Sequence, residues 1–444
     1  MEILSLVGIF VGLALLILLA YKGQSIVWVA PLCAFVVALF AIPAGLGEDR
    51  TLLTAYTTDY MRGAGDYFVS WFPAFFLGAV YGKIMDLTGS ARSLANAIVK
   101  LIGPRFALLA VVIPCLALTY GGISLFVVVF VIYPMGYAIY RAADIPRTLL
   151  PGAIAFGAFG ITMTSIPGTP QIQNLIPMDY FGTPATAAPL MGLVATLMIA
   201  VPGYIYLDMR IKRAKKELRG FTEDPLFKEV DHSKDNLPSW HWLTGLIPII
   251  VVFVALNILD WGIVIALLLA IICCILLNIN QIKIILPAIN EGATGSLTAI
   301  MNTACAVGFG SVVKIVPGFQ TLTNLMVSGN AKPGSLLFSE AVAVNVLAGA
   351  TGSASGGMSI ALSALGERYL GMAGEIGMSP ELLHRIASVS SGGLDTLPHN
   401  GAVLTLLAVS HCTHKESYKD ICVTTCLIPV AVSLVLSLVW GLFI

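Results

Sequence analysis

Charge is scarce in this sequence. Lys and Arg number 24 and Asp and Glu 24 among 444 residues, a charged share of 11% and a formal net charge of zero. A soluble domain of this length needs far more charge to cover its surface, and a neutral chain offers nucleic-acid phosphates no basic footprint. Both classes are set aside. The eight cysteines show no CxxC spacing, which argues against a metal site or a disulfide framework. Cys33, Cys115, Cys273, Cys274, Cys305 and Cys426 lie inside apolar runs and read as small core residues. No HExxH, GxSxG or paired-aspartate motif occurs, so an intramembrane enzyme is the weaker reading and no cofactor is expected.

What the chain has is apolar length. Its hydrophobic share is 57% and its mean hydropathy +0.90. A helix needs about 20 apolar residues to cross a bilayer, and the plainest such runs are Leu4–Ala20, Ile26–Ile42, Met191–Tyr206, Trp242–Leu259, Ile263–Leu277 and Val423–Leu442. The first lacks a basic n-region and a small-residue cleavage site, so it is expected to be a retained span. One aqueous segment, Asp208–Ser239, carries eight Lys and Arg. It divides the chain into a first transmembrane repeat (residues 1–207), a cytoplasmic linker (208–239) and a second repeat (240–444).

Four landmarks recur in the same order in the two halves. Lys83 matches Lys314, Gly121-Gly122 matches Gly356-Gly357, Pro146 matches Pro380 and Pro170 matches Pro398, at offsets of 231, 235, 234 and 228. Each half also has an apolar region interrupted by uncharged polar and glycine residues, Thr119–Ser124 and Gly349–Gly357. Both are read as re-entrant helical hairpins, because irregular backbone inside a bilayer needs protein or a water-filled cavity around it. A span broken at its centre follows each hairpin, at Ser165–Gln171 and at Gly392–Gly401, where proline and glycine disrupt the helix. Five crossings per half make the repeats inverted. With the linker inside, ten further basic residues fall on the cytoplasmic side and six outside, namely Arg50, Arg62, Lys314, Lys332, Arg368 and Arg385; that is the positive-inside direction.

Broken helices point their ends at a midplane site, and a helix N-terminus suits a carboxylate. The hairpin tips and breaks offer Gly122, Ser124, Thr169, Gln171, Gln173, Asn174, Ser353, Ser355, Thr396, His399 and Asn400 as candidate substrate-binding residues. This inventory of hydroxyls and amides fits one carboxylate with one or more hydroxyls. A di- or tricarboxylate calls for an arginine, and no arginine is expected to be buried. Glu291 and Glu340 read as lying nearer span ends. Asp395 and His399, four apart across the second break, are the candidates for proton coupling. Alternatively Asp395 caps the second half-helix, His399 is a hydrogen-bonded structural residue, and the tip serines serve close helix approach. The small-residue tract Glu291–Lys314 suggests close packing at a helix interface.

At these residues the chain resembles the gluconate permease family, within the larger ion transporter superfamily of carboxylate carriers. The resemblance covers essentially the whole chain: the Gly78–Lys83 span, the Tyr120–Ser124 hairpin, Ile145–Gly152, the Gly352–Gly357 hairpin and the final break. Gluconate permeases carry a proline-rich loop containing histidine at the first break, where this chain reads Ser165-Ile166-Pro167-Gly168-Thr169-Pro170-Gln171. The string Gly392–Val403 is instead similar to the D-3-hydroxybutyrate permease branch. The resemblance implies proton-coupled uptake through the cytoplasmic membrane, a homodimer, and an elevator-like transport region beside a scaffold. The expectation is an all-α polytopic membrane protein, a symporter for a short hydroxy monocarboxylate. 3-Hydroxybutyrate comes first, sugar acids such as gluconate second, and Na+ is the alternative to H+ as coupling ion. A channel is the third reading.

Overall fold

The structure, a computed structural model, describes residues 2–22, 24–46, 50–103, 106–123, 125–224, 238–319, 321, 332–398 and 400–442. Among the described residues there are helices and turns and no strand. Five helical stretches are long and apolar enough to cross a membrane: Ile26–Ala44, Leu52–Leu87, Pro189–Lys216, Ile279–Ile315 and His414–Trp440. Lipid is the solvent that fits their surfaces. Along Pro189–Lys216, Leu190, Leu193, Leu197, Val201 and Ile205 recur every third or fourth residue, and each is at least half exposed, an apolar stripe facing outward on a helix.

One group of helices contains α1 (Glu2–Tyr21), α2 (Ile26–Ala41), α3 (Leu52–Leu87), α4 (Ser90–Ile102), α10 (Trp242–Asn257), α11 (Ile263–Leu277) and α12 (Ile282–Ile315). The small-residue tract lies within α12, which packs along α3. The backbone of Val80 stands where a side chain on Gly292 would be, so the expected close packing is present.

The second group contains α5 (Ala107–Tyr120), α6 (Leu125–Ala142), α7 (Leu150–Ala155, continued by a π-helix over Phe156–Thr162), α8 (Ile172–Phe181) and α9 (Pro189–Lys216). It also contains α13 (Pro333–Thr351), α14 (Ala354–Glu375), α15 (Pro380–Ser391), α16 (Gly401–Val409) and α17 (His414–Trp440). Helices α5 and α6 form one hairpin and α13 and α14 another. The first turns at Gly122, whose φ of 83° belongs to the left-handed region glycine favours. The second interruption is narrower than the sequence suggested. Gly352 ends α13 and Ser353 caps α14 by accepting from the Gly356 N–H, so only those two residues leave the helix. The Ala348 backbone occupies the place of any side chain at Gly357, so the hairpin arms touch main chain to main chain.

Both expected breaks are present. Helix α7 gives way at residues 163–171 before α8 begins, and α15 gives way at 392–400, with a 3-10 turn over Leu394–Thr396, before α16. Helix α9 runs nine residues into the segment read as linker. Asp208 pairs with Lys212 at 2.6 Å and Arg213 with Glu217 at 2.7 Å, and the basic last turn complements the helix dipole.

Two ionisable residues are more deeply buried than the sequence suggests. No arginine is expected to be buried, yet Arg385 is fully buried within the protein. Glu340, read as nearer a span end, is also fully buried, in mid-helix on α13.

Candidate functional site

The two breaks and the second hairpin meet around a cavity of about 500 Å³. Its distinguishing feature is how many helices begin on it. Ile26 of α2, Leu125 of α6, Ala354 of α14 and Gly401 of α16 are the first described residues of their helices, and all line the cavity. Each helix start carries unpaired N–H groups and roughly half a positive charge. Three of these starts have a side-chain cap. Ser25 accepts from the Val27 N–H at 3.4 Å, Ser353 from the Gly356 N–H at 3.1 Å, and Asn400 from the Ala402 and Val403 N–H groups at 2.7 and 3.0 Å. Among the described residues, no Lys or Arg lines the cavity, and Asp395 is the one Asp or Glu that does.

Asn400 also ties the site together. Its Nδ2 donates to the Gly352 carbonyl at 3.0 Å and to Asp395 Oδ1 at 2.8 Å. One amide thus joins the hairpin tip, the acid and the start of α16. Of the residues expected from sequence, Gln173, Ser353, Ser355, Asp395 and Asn400 share the cavity wall. The Gln173 Oε1 atom is buried without a hydrogen-bond partner among the described residues, an acceptor that a bound molecule could satisfy.

Others are spent elsewhere. Gln171 Nε2 donates to the Thr119 carbonyl at 2.6 Å, joining the first break to the first hairpin. Thr396 Oγ1 bonds Thr425 Oγ1 at 2.8 Å. Gly122 abuts Pro170, where an added Cβ would stand 3.2 Å from its Cγ. Thr169 Oγ1 is buried with no partner among the described residues and is not part of the cavity lining. Ser124 and His399 lie outside the described residues, so the Asp395–His399 pairing rests on sequence alone.

Asn174 belongs to a different construction. Its Nδ2 donates to the Thr169 and Ala185 carbonyls at 3.0 and 2.8 Å. Its Oδ1 accepts from Arg385 Nη1 at 3.0 Å and lies 3.2 Å from His384 Nε2. Arg385 donates further to the Ala187 carbonyl, from Nε at 3.1 Å and from Nη2 at 2.6 Å. These carbonyls make a buried arginine tolerable, since an unpaired buried charge costs several kcal/mol. The guanidinium is spent on scaffold and does not line the cavity.

Sequence reasoning missed Gln24, Ser25, Asn302, Thr303 and Thr351, which also line the site. The Asn302-Thr303 pair, polar in the middle of an apolar helix, was the signal available for α12. A second cavity, about 780 Å³, lies between α4, α5 and α10. Its wall is aliphatic and aromatic, with Tyr120 and Trp242 as its polar-tipped members, so it lacks groups to recognise a carboxylate.

Comparison with known proteins points to a family of transporters. The family model described as GntP family permease matches residues 4–261, and that of the Na+/H+ antiporter family matches residues 237–442. The uncharacterized transporter YxjC of Bacillus subtilis (strain 168) is 38% identical over 475 residues, covering 98% of each chain. An uncharacterized permease of Haemophilus influenzae is 24% identical over 266 residues, 56% of this chain and 51% of its own. Among solved structures, Neisseria gonorrhoeae MtrF, presented with a class of antimetabolite efflux pumps, superposes with a TM-score of 0.55 at 12% identity. That likeness covers 93% of this chain and 94% of the other, and it is one of fold. A bundle of apolar helices whose ends converge on a polar cavity, matched by the permease model over more than half its length, belongs to the GntP permease family of membrane transporters.

Proposed function

We propose that this chain is a proton-coupled symporter that carries a short hydroxy monocarboxylate into the cell, with D-3-hydroxybutyrate the favoured substrate and gluconate or another sugar acid the second. The observation that carries this reading is the meeting of four helix starts on one cavity that has no Lys or Arg among its described lining residues. Dipole ends suffice for one carboxylate, whereas a second carboxylate would call for a cation. Gln173, with its unpartnered Oε1, is suited to accept from a substrate hydroxyl, and Asn302 and Ser355 offer further polar contacts on the same wall.

Asp395 supplies the coupling logic. Ionised, it repels a carboxylate entering the same low-dielectric cavity; protonated, it does not. Proton and substrate therefore favour each other's binding, and by linkage the effect is reciprocal. His399 is the second coupling candidate, on the sequence motif. Na+ is the alternative ion, because the tip hydroxyls and exposed carbonyls would also suit it. The halves 1–207 and 240–444 are proposed as inverted repeats of five spans, each with a re-entrant hairpin. The linker 208–239 would lie on the cytoplasmic side of the cell membrane, and the protein would work as a homodimer with an elevator-like transport region and no enzymatic step.

The test is uptake into proteoliposomes under an inward proton gradient, comparing labelled D-3-hydroxybutyrate with gluconate. Hydroxybutyrate accumulation abolished by a protonophore is the expected result. Accumulation of gluconate alone would reassign the substrate, and accumulation driven by a Na+ gradient but indifferent to pH would reassign the ion.

A further inference from the structure

Asp395 is not the most isolated acid in the molecule. Glu340 is fully buried on α13, and neither carboxylate oxygen has a hydrogen-bond partner among the described residues. Its neighbours along the helix, Leu336, Leu337, Ala341 and Val344, are buried and apolar. Taking a carboxylate into such surroundings unpaired costs several kcal/mol even after relaxation, so the packing accommodates the neutral acid. A structural role would have given the side chain a partner, as Arg385 and Asp420 have theirs. Asp420 is equally buried, yet it accepts from Arg210 Nε at 2.7 Å and Tyr206 at 2.8 Å.

The titratable groups on the elements around α13 are committed or turned away. Tyr369 of α14 shares a 3.1 Å hydrogen bond with Ser339, and Arg368 beside it is exposed. His384 and Arg385 of α15 are engaged with Thr183, Asn174 and Ala187. Asp395 is held by Asn400, and Glu2 of α1 is exposed. None of them pairs with Glu340.

Polar groups with bonding capacity to spare lie along α13 and α15 between Glu340 and the cavity. Thr351, eleven residues further along α13, lines the cavity, roughly 16 Å away at the rise of an α-helix. Between them stands Asn345. Its Nδ2 donates to Ser433 Oγ at 3.0 Å, while its Oδ1 has no partner among the described residues. That Oδ1 occupies the space beside Gly393, two residues before Asp395. Ser390 Oγ on α15 is likewise buried and has no partner among the described residues. A hard metal cation takes several oxygen ligands, but at Glu340 it would find one carboxylate. A proton needs only that.

We propose that Glu340 is a proton-carrying residue of the transport cycle, binding a proton on its carboxylate inside the bundle of α13, α14, α15 and α17 and releasing it to the opposite aqueous side as substrate is delivered. This deepens the symport reading above and rests on it for the substrate. The proton comes from the driving gradient, and no other bond is made or broken.

Glu340→Gln keeps the shape of the neutral acid and cannot release a proton. In proteoliposomes, proton-driven accumulation of D-3-hydroxybutyrate by E340Q should fall at least about tenfold, while substrate-for-substrate exchange stays near the wild-type rate. Accumulation with an unchanged pH profile in E340Q overturns the proposal. So does loss of both activities that Glu340→Asp does not restore, which would mark a structural role. A second readout needs no substrate. The infrared carbonyl band of a protonated carboxyl group should be present in Asp395→Asn and missing when E340Q is added to that variant; persistence of the band unchanged in the double variant overturns the proposal. Failure of the wild type to accumulate either acid would instead strike the symport reading and leave the infrared result standing.

Discussion

The two helix breaks look alike in sequence, each with proline, glycine and a handful of uncharged polar residues, yet the structure uses them differently. The first, between α7 and α8, turns most of its polar groups inward on the protein. Gln171 ties to Thr119, and Asn174, just inside α8, ties to Arg385 and to carbonyls of Thr169 and Ala185. The second, between α15 and α16, presents Asp395 and Asn400 to the cavity. A polar residue at a break is therefore no site by itself. Where its hydrogen bonds end decides whether it holds the fold or faces a ligand.

Substitutions at the two breaks sharpen this contrast. The largest effect should come from Arg385→Met, on the scaffold side. It strands the Ala187 carbonyl and one face of Asn174, and is expected to cost about 3 kcal/mol, read as a lower unfolding temperature of the purified protein. Next is Asp395→Asn on the cavity side, which should leave stability nearly intact. It should cut proton-driven accumulation at least about tenfold, spare exchange, and flatten the pH profile. The sign is set by charge: wild-type uptake should weaken as pH rises and Asp395 ionises against the substrate carboxylate. A D395N protein that still concentrates substrate would remove this residue from coupling.

Asn400→Ala should be intermediate. It removes a helix cap and the bond to the hairpin tip, worth about 1.5 kcal/mol or roughly tenfold in KM for uptake. Gln173→Ala should narrow the preference for 3-hydroxybutyrate over butyrate by several-fold, about 1 kcal/mol, measured by competition. Gln171→Ala should be smallest in transport, with KM unchanged and a modest loss of stability. A larger transport effect at Gln171 than at Gln173 would break the comparison between the two breaks.

Much of the architecture could be read from the sequence for physical reasons. Apolar length marks helices in lipid, and glycine with proline marks where they stop. Gly352 and the serine after it placed the second hairpin tip, although α13 and α14 each extend further toward it than the run of small polar residues suggested. Three features were not legible. Arg385 sits four residues after Glu381 near a helix start and reads as an exposed end; the carbonyls of Ala185 and Ala187 that let it be buried come from a segment almost 200 residues earlier. Glu340 lies within a helix of weak hydropathic contrast, and no pattern distinguishes a buried acid there from one at the rim. The part of the cavity wall built by α2 and α12 was the hardest to place: the Asn302-Thr303 pair marks a polar spot in α12, but neither it nor Ser25 belongs to a hairpin or a break. Only tertiary packing brings those helices to the same place.

The convergence of helix starts has a consequence for ionic strength. Surface arginines that attract an acid are screened by salt over a Debye length of about 10 Å at 0.1 M, so their hold weakens in brine. Here the attraction would come from main-chain dipoles walled in by protein, beyond easy reach of counterions. Apparent affinity for the substrate should then change little between dilute and concentrated potassium chloride, provided chloride itself does not compete for the helix ends. A carrier built this way would scavenge its acid equally well in fresh and in salty surroundings.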